Sequence, residues 1–167
     1  MNLYNQEVAR ITEHLRNNGY AYFQPQHVGG LDGVDSSDLK VNVILPIYPP
    51  TGQTVHKTYR VGDITIFPNY GQNLDLNQTP DTTINGIHFV NEGAPFRVKP
   101  KTLLNSVSLK SGELYNREKE INTNLQLSSL GVFSFVTIKA EPDTIREDIL
   151  NFKILLTQNK KWEFGTD

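Results

Sequence analysis

Four histidines, His14, His27, His56 and His88, and no cysteine set the limits of the chemistry available to this chain. Imidazole and thiolate are the side chains best suited to hold a transition metal or to activate a nucleophile near neutral pH. No two of these histidines stand at a ligand spacing such as H-x-x-x-H. His14 falls within a helical pattern and is expected to be partly buried scaffold. The lack of cysteine excludes a thiolate site, a disulfide framework and a cysteine nucleophile. Asp32, Asp35 and Asp38 offer carboxylates but miss the spacing of a calcium loop and its closing glutamate, so turn chemistry accounts for them. Gly29-Gly30 and Gly33 lack the lysine and the following helix of a phosphate loop. No serine sits in a G-x-S-x-G elbow. Glu118, Lys119 and Glu120 read as a solvated helix face. These residues predict no catalytic site, no cofactor and no bound metal, and hence a protein that is not an enzyme.

The elements that would carry any other function follow from periodicity. Asn5 to Asn17 is a helix with Val8, Ile11, His14 and Leu15 on one face, stopped by Gly19. An aromatic strand is expected at Tyr20-Ala21-Tyr22-Phe23, then a turn at Asp32–Asp38 and an alternating strand from Leu39 to Leu45. A second alternation runs from Tyr59 to Ile66, with Gly62 shifting its phase as a bulge would. Residues 69–95 are irregular and rich in Asn, Gly, Thr and Pro, with a short strand expected at Ile84–Val90. Lys99–Val107 is a short helix opened by Pro100. Arg117–Ser129 is a longer one, with Asn116 as N-cap, Ile121, Leu125 and Ser128 on one face, and Leu127 beside it. Strands are expected at Val132–Ala140 and Ile149–Gln158.

Two stretches share a layout. Leu15 and Gly19 precede Tyr20, Tyr22 and Phe23, as Leu127 and Gly131 precede Val132, Phe133 and Phe135. Repetition of a helix–strand–strand unit predicts an array of modules. The chain has 167 residues, 37 % of them hydrophobic, which suffices for two small cores. A formal charge of −2 gives no basic stripe for nucleic acid. No apolar run is long enough for a membrane helix, and Met1-Asn2-Leu3-Tyr4 begins no signal peptide. The first copy of the unit lacks the strand and helix expected ahead of Asn5, so the sequence is expected to begin inside a module.

Phe96 to Leu104, Gly112-Glu113-Leu114-Tyr115 and Leu125 to Ile138 together carry a likeness. The pattern G-x-x-Y, helix, L-G-x-F-x-x-V-x-I, here Gly112, Tyr115, Leu130, Gly131, Phe133, Val136 and Ile138, resembles a POTRA (polypeptide-transport-associated) domain of the BamA/TamA type. Ile11–Tyr20 resembles the second half of a preceding POTRA, and Trp162-Glu163-Phe164-Gly165-Thr166 resembles the lead into the membrane barrel of TamA-like proteins of Bacteroidota, often lipoproteins. The departure is the 69–95 insertion. The resemblance implies an α+β fold of tandem modules. Each is strand–helix–helix–strand–strand, with a small mixed three-stranded sheet and helices on one face. It implies the end of one module at 1–57, a complete module at 58–159, and the start of a lead into a barrel or next module at 160–167.

With no side-chain chemistry in view, binding through backbone remains, and an open sheet edge is its natural place. In the family the second strand is commonly the edge. Here that is Val132, Phe133, Ser134, Phe135, Val136, Thr137, Ile138, Lys139 and Ala140. Phe133, Val136 and Ile138 are expected to face the core, and Phe135, Thr137 and Lys139 to face outward. Phe135 would then meet a client, a neighbouring module or the insertion. The resemblance implies a periplasmic fragment attached to the outer membrane through a covalently continuous β-barrel. Its partners would be unfolded outer-membrane proteins or accessory assembly proteins, with no nucleic acid. The rival is a free-standing periplasmic binding module, for a glycan or a peptide, not linked to a barrel.

Overall fold

A computed structural model describes residues 3–35, 42–71, 75–91 and 96–159. The chain divides into two units, Met1–Tyr59 with Tyr115–Arg117, and Arg60–Leu114 with Glu118–Asp167. Leu39–Val41 of the expected strand, and the expected lead at 160–167, lie outside the described residues.

The first unit opens with helix α1, Leu3–Arg16. Its inner face carries Val8, with Ile11 and Leu15 partly buried beside it, and Thr12, whose hydroxyl donates to the Val8 carbonyl at 2.8 Å. His14 is exposed rather than partly buried, because it points off this face. Gly19 ends the helix at φ 95°, and the Tyr20 amide reaches back to the Leu15 carbonyl at 3.1 Å. The strand expected at Tyr20–Phe23 does not form. Ala21 and Phe23 instead donate to the carbonyls of Gly19 and Tyr20, each at 3.0 Å, so the backbone bonds locally in a turn. That turn buries Phe23 against Val8 and Val28 and leaves Tyr22 outside.

A 3₁₀ turn at Pro25–His27 leads into a two-stranded ribbon. Val28 bridges Ile47, and strand β1, Asp32–Asp35, pairs antiparallel with β2, Asn42–Ile44. The turn expected at Asp32–Asp38 is therefore a strand over its first four residues. Cross-strand pairing overrides the local turn preference of Asp-Gly.

The second unit is a mixed sheet. Its strands are β3 (Arg60–Phe67), β4 (Thr82–Ile84), β5 (Ile87–Phe89), β6 (Phe133–Pro142) and β7 (Ile149–Gln158), in the order β4-β5-β3-β7-β6. Five strands stand where the module was expected to have three, and the short strand expected at Ile84–Val90 appears as β5. The extra pair is a hairpin in the insertion, turned by Asn85 and Gly86 at φ 51° and 77°, the positive pair that a tight hairpin requires. β5 adds in parallel to β3. Helices α2 (Pro100–Asn105) and α3 (Arg117–Ser129) lie between β5 and β6 in the chain.

Register assigns the two faces. Ile64, Ile66, Phe152, Ile154 and Phe89 share one face and are all buried, as are Leu103 of α2 and Leu127 of α3. On the other face Thr65 lies between His88 and Lys153, and Lys153 pairs with Lys139, a row that is exposed or half-exposed. Among the described residues one end of that face is covered, where Phe67, Val90 and Leu155 cluster with Tyr70 and Leu76.

β3 carries its bulge between Val61 and Ile64. A Cβ on Gly62 would collide with the side chains of Ile149 and Asn151, and the Asp63 amide donates to Asn151 Oδ1 at 2.9 Å. A side chain is excluded there by the neighbouring strand.

Candidate functional site

β6 reads FSFVTIKAEP and stands at one end of the strand order, paired among the described residues with β7 alone. It runs two residues beyond Ala140 and begins one residue after Val132, which lies outside it with its carbonyl accepting from the Asn159 amide. Phe133 is buried, and a register shift between Phe133 and Phe135 places Ser134 and Phe135 both outward. From there alternation resumes. Val136 and Ile138 are half-buried, while Thr137 and Lys139 are exposed, as is Ala140. Phe135 is 71 % exposed. The insertion hairpin adds to the opposite edge of the sheet, and Phe135 does not pack beneath it.

The direction of the backbone groups follows from one bond. The Asp143 amide donates to the Ile149 carbonyl at 2.9 Å, and the register continues unbroken from Pro142↔Leu150 to Phe135↔Thr157. In an antiparallel ladder bonded and non-bonded pairs alternate. Glu141, Lys139, Thr137 and Phe135 therefore bond to β7. Val136, Ile138, Ala140 and Pro142 direct their backbone groups away from it. Pro142, which has no amide to offer, occupies an outward position where none is needed.

Helix α3 reaches this edge. Asn124 Nδ2 donates to the Val136 carbonyl at 3.2 Å. Ile121 and Ser128 lie one turn to either side of Asn124 on the same helix face, and Leu125 is adjacent. Ile121 is 45 % and Leu125 60 % exposed. This is the stripe that the sequence places on one face of the helix, and the structure turns it outward. The buried positions of α3 are Thr123 and Leu127, roughly half a turn away. Thr123 is tolerated there because its hydroxyl donates to the Lys119 carbonyl at 2.8 Å and accepts from the Ser108 amide at 2.9 Å. Periodicity finds the helix but cannot tell a stripe of Ile121 and Leu125 from the threonine-bearing face that is actually buried.

Electrostatics near the edge are those of a closed turn, without a reactive group. Asp143 accepts from the amides of Ile145 and Arg146 at 3.0 and 2.9 Å, from Arg146 Nη2 at 3.1 Å and from Asn151 Nδ2 at 3.0 Å. These bonds, led by the Arg146 amide, hold its carboxyl far below the usual range. Lys153 pairs with Glu141 at 2.8 Å across the β6–β7 ladder. Lys119, expected on a solvated face, is half-buried and pairs with Glu113, lowering that carboxyl. Among the described residues no three His, Asp or Glu side chains group as a metal site would require. His27 and His56 lie with ring centroids 4.8 Å apart in the first unit, while His88 bonds Thr83 at 2.8 Å in the second. Among the described residues no helix is long and apolar enough to cross a membrane.

Residues 82–155 match the model of the POTRA family, described as a surface antigen variable number repeat. Among solved structures, the chain is similar to BamA from Haemophilus ducreyi lacking POTRA domains 1–3. The TM-score is 0.53 and the identity 14 %, over 92 % of this chain and 23 % of that one. It is also similar to POTRA1–3 of the periplasmic domain of Omp85 from Anabaena, with TM-score 0.47 and 18 % identity, over 96 % of this chain and 52 % of that one. The N-terminal domain of Omp85 from Thermosynechococcus elongatus gives TM-score 0.47 and 18 % identity, over 96 % and 55 %. The chain thus spans about half the length of the two Omp85 structures. Comparison with curated proteins finds no match. The mixed α+β fold, a five-stranded sheet with helices, matches that of POTRA structures.

Proposed function

We propose that the chain is a stretch of tandem POTRA modules from an outer-membrane β-barrel assembly factor, of the TamA-like type found in Bacteroidota. It would be a periplasmic scaffold without enzymatic activity that captures extended client or accessory segments on the outer edge of β6. The modules are read as 1–57 and 58–159, with 160–167 leading toward a barrel. The observation that carries the reading is the edge itself. β6 is ten residues long, and its outward backbone positions at Val136, Ile138 and Ala140 are met only by Asn124, at one carbonyl, among the described residues. An added strand would gain main-chain hydrogen bonds from these positions with little demand on its sequence. Ile121 and Leu125 would supply apolar contact for alternate side chains.

The test is chemical-shift mapping with a peptide copied from an outer-membrane barrel strand. The expected shifts cover β6 and the Ile121–Leu125 face of α3. Ala140→Pro should weaken capture several-fold while the β6–β7 ladder survives, since it removes an outward donor. Shifts confined to residues 69–95, with β6 silent, would move the binding role to the insertion.

A further inference from the structure

The first unit holds a cleft of roughly 590 Å³ that strand capture on β6 does not use. That volume lies within the range of small-ligand sites, about 300–1,000 Å³. Its base is aromatic. Phe23 is buried, its ring centroid 4.9 Å from that of His56 and 5.3 Å from that of His27. Tyr22 and Tyr59 meet edge to face at 5.2 Å on one side, and Tyr48 lies on the other. Tyr22 and Tyr48 are about half exposed, so each still presents ring surface to the opening.

Most polar side chains of the cleft are uncharged. Gln24, Gln26 and Gln53 are exposed and present amides, each with a donor beside an acceptor. The two imidazoles complement one another. The Gln24 backbone N–H donates to His27 Nδ1 at 3.1 Å, so the neutral ring carries its proton on Nε2. His56 Nε2 stands 2.8 Å from the Tyr48 carbonyl, which can only accept, so in the neutral ring that nitrogen carries the proton and Nδ1 keeps a lone pair. Burial first, and the neighbouring His56 second, lower the His27 pKa and keep the ring neutral at pH 7. No carboxylate lines the cleft, and its one lysine, Lys57, has an interaction of its own.

This inventory selects a ligand class. An anion would require several cations or a nest of amides, and the cleft offers a single lysine that already has an interaction of its own. A proline-rich segment would offer carbonyl acceptors alone and leave the glutamine carbonyls and the imidazole lone pair without donors. A neutral polyhydroxyl ring satisfies both kinds of group, because its hydroxyls donate and accept and its C–H face lies on an aromatic ring. We propose that the cleft of the first unit binds a neutral glycan, stacked on Tyr22 or Tyr48 and hydrogen-bonded by the glutamine amides. This site is independent of strand capture on β6.

The experiment titrates the full chain, isotopically labelled, with chitotetraose, with maltotetraose and with a proline-rich peptide, each at millimolar concentration. The expected result is that at least one sugar shifts the signals of Tyr22, Tyr48 and Gln53. Tyr22→Ala and Gln53→Ala should each weaken that binding about tenfold, the size of one lost stack or hydrogen bond. Both residues are exposed, and unchanged signals from Val8 and Val28 verify that the core persists. Response to chitotetraose alone would assign an N-acetylated glycan, and response to both a plain pyranose surface. The proposal is overturned if neither sugar binds, if binding survives both substitutions, or if only the proline-rich peptide occupies the cleft.

Discussion

Phe133 and Phe135 sit two positions apart on β6 and serve opposite ends. Phe133 is 7 % exposed and Phe135 71 %. Phe133→Ala should therefore cost about 3 kcal/mol of stability, the scale of a core aromatic, and Phe135→Ala well under about 1 kcal/mol. Urea denaturation monitored on the second unit measures both. An equal loss from the two would mean that Phe135 is covered. The buried and exposed assignments at Val136, Thr137, Ile138 and Lys139 were legible from alternation, whereas Phe133 is buried out of phase with them, across the register shift before Phe135. The direction of each backbone amide was not, because it depends on which register pair is bonded, and a single loop bond from Asp143 decides that. Proline substitution makes the distinction measurable. Thr137→Pro removes a donor to β7 and should destabilise the sheet. Ala140→Pro removes an outward donor and should leave the melting temperature nearly unchanged.

At the scale of elements, helix ends were the most legible feature. Gly131, at φ 69° just past α3, fills the same role as Gly19 past α1. Gly131→Val should cost about 1 kcal/mol or more, read as a lower melting temperature, although open space surrounds the position. Gly62 is the contrasting case. Any side chain there meets β7, so Gly62→Ala should destabilise by more than a surface change does, and the loss should show first as faster amide exchange at the Arg60–Ile64 bulge. What the sequence concealed were elements set by distant partners. Asp32–Asp35 has turn composition and becomes a strand because Asn42–Ile44 is there to pair. Tyr20–Phe23 has strand composition and becomes a turn because burying Phe23 beneath Val8 outweighs extension. The Asn85-Gly86 hairpin has a strong local signal, but its addition to β3 is a tertiary choice.

For the whole molecule, the resolved titrations of acids and histidine point one way. His27 is shifted down, so the unfolded chain takes up a proton more readily than the folded one. Stability should begin to fall as pH drops through the ordinary histidine value of about 6.5 and level off once the folded ring protonates. Glu7, held down by Arg10, Glu113, held down by Lys119, and Asp143 follow the carboxylate rule. Their contributions are complete above about pH 4.5 and are lost as pH falls through the lowered folded values. Thermal melts across pH should show two descents, and His27→Phe should flatten only the upper one. A single descent confined to acid would remove His27 from the account. The layout shared by Leu15–Gly19 and Leu127–Gly131 led to an expectation of repeated helix–strand–strand modules, yet Tyr20–Phe23 folds as a turn, and the extent of the second sheet was hidden in the insertion. That sheet ends in unequal borders, ten residues of β6 on one side and three of β4 on the other. A second copy set β6 against β6 would meet a border of its own length, an isologous contact that uses both long edges at once. The three residues of β4 offer an added strand far fewer main-chain bonds than the ten of β6, so an added strand gains most on the β6 side.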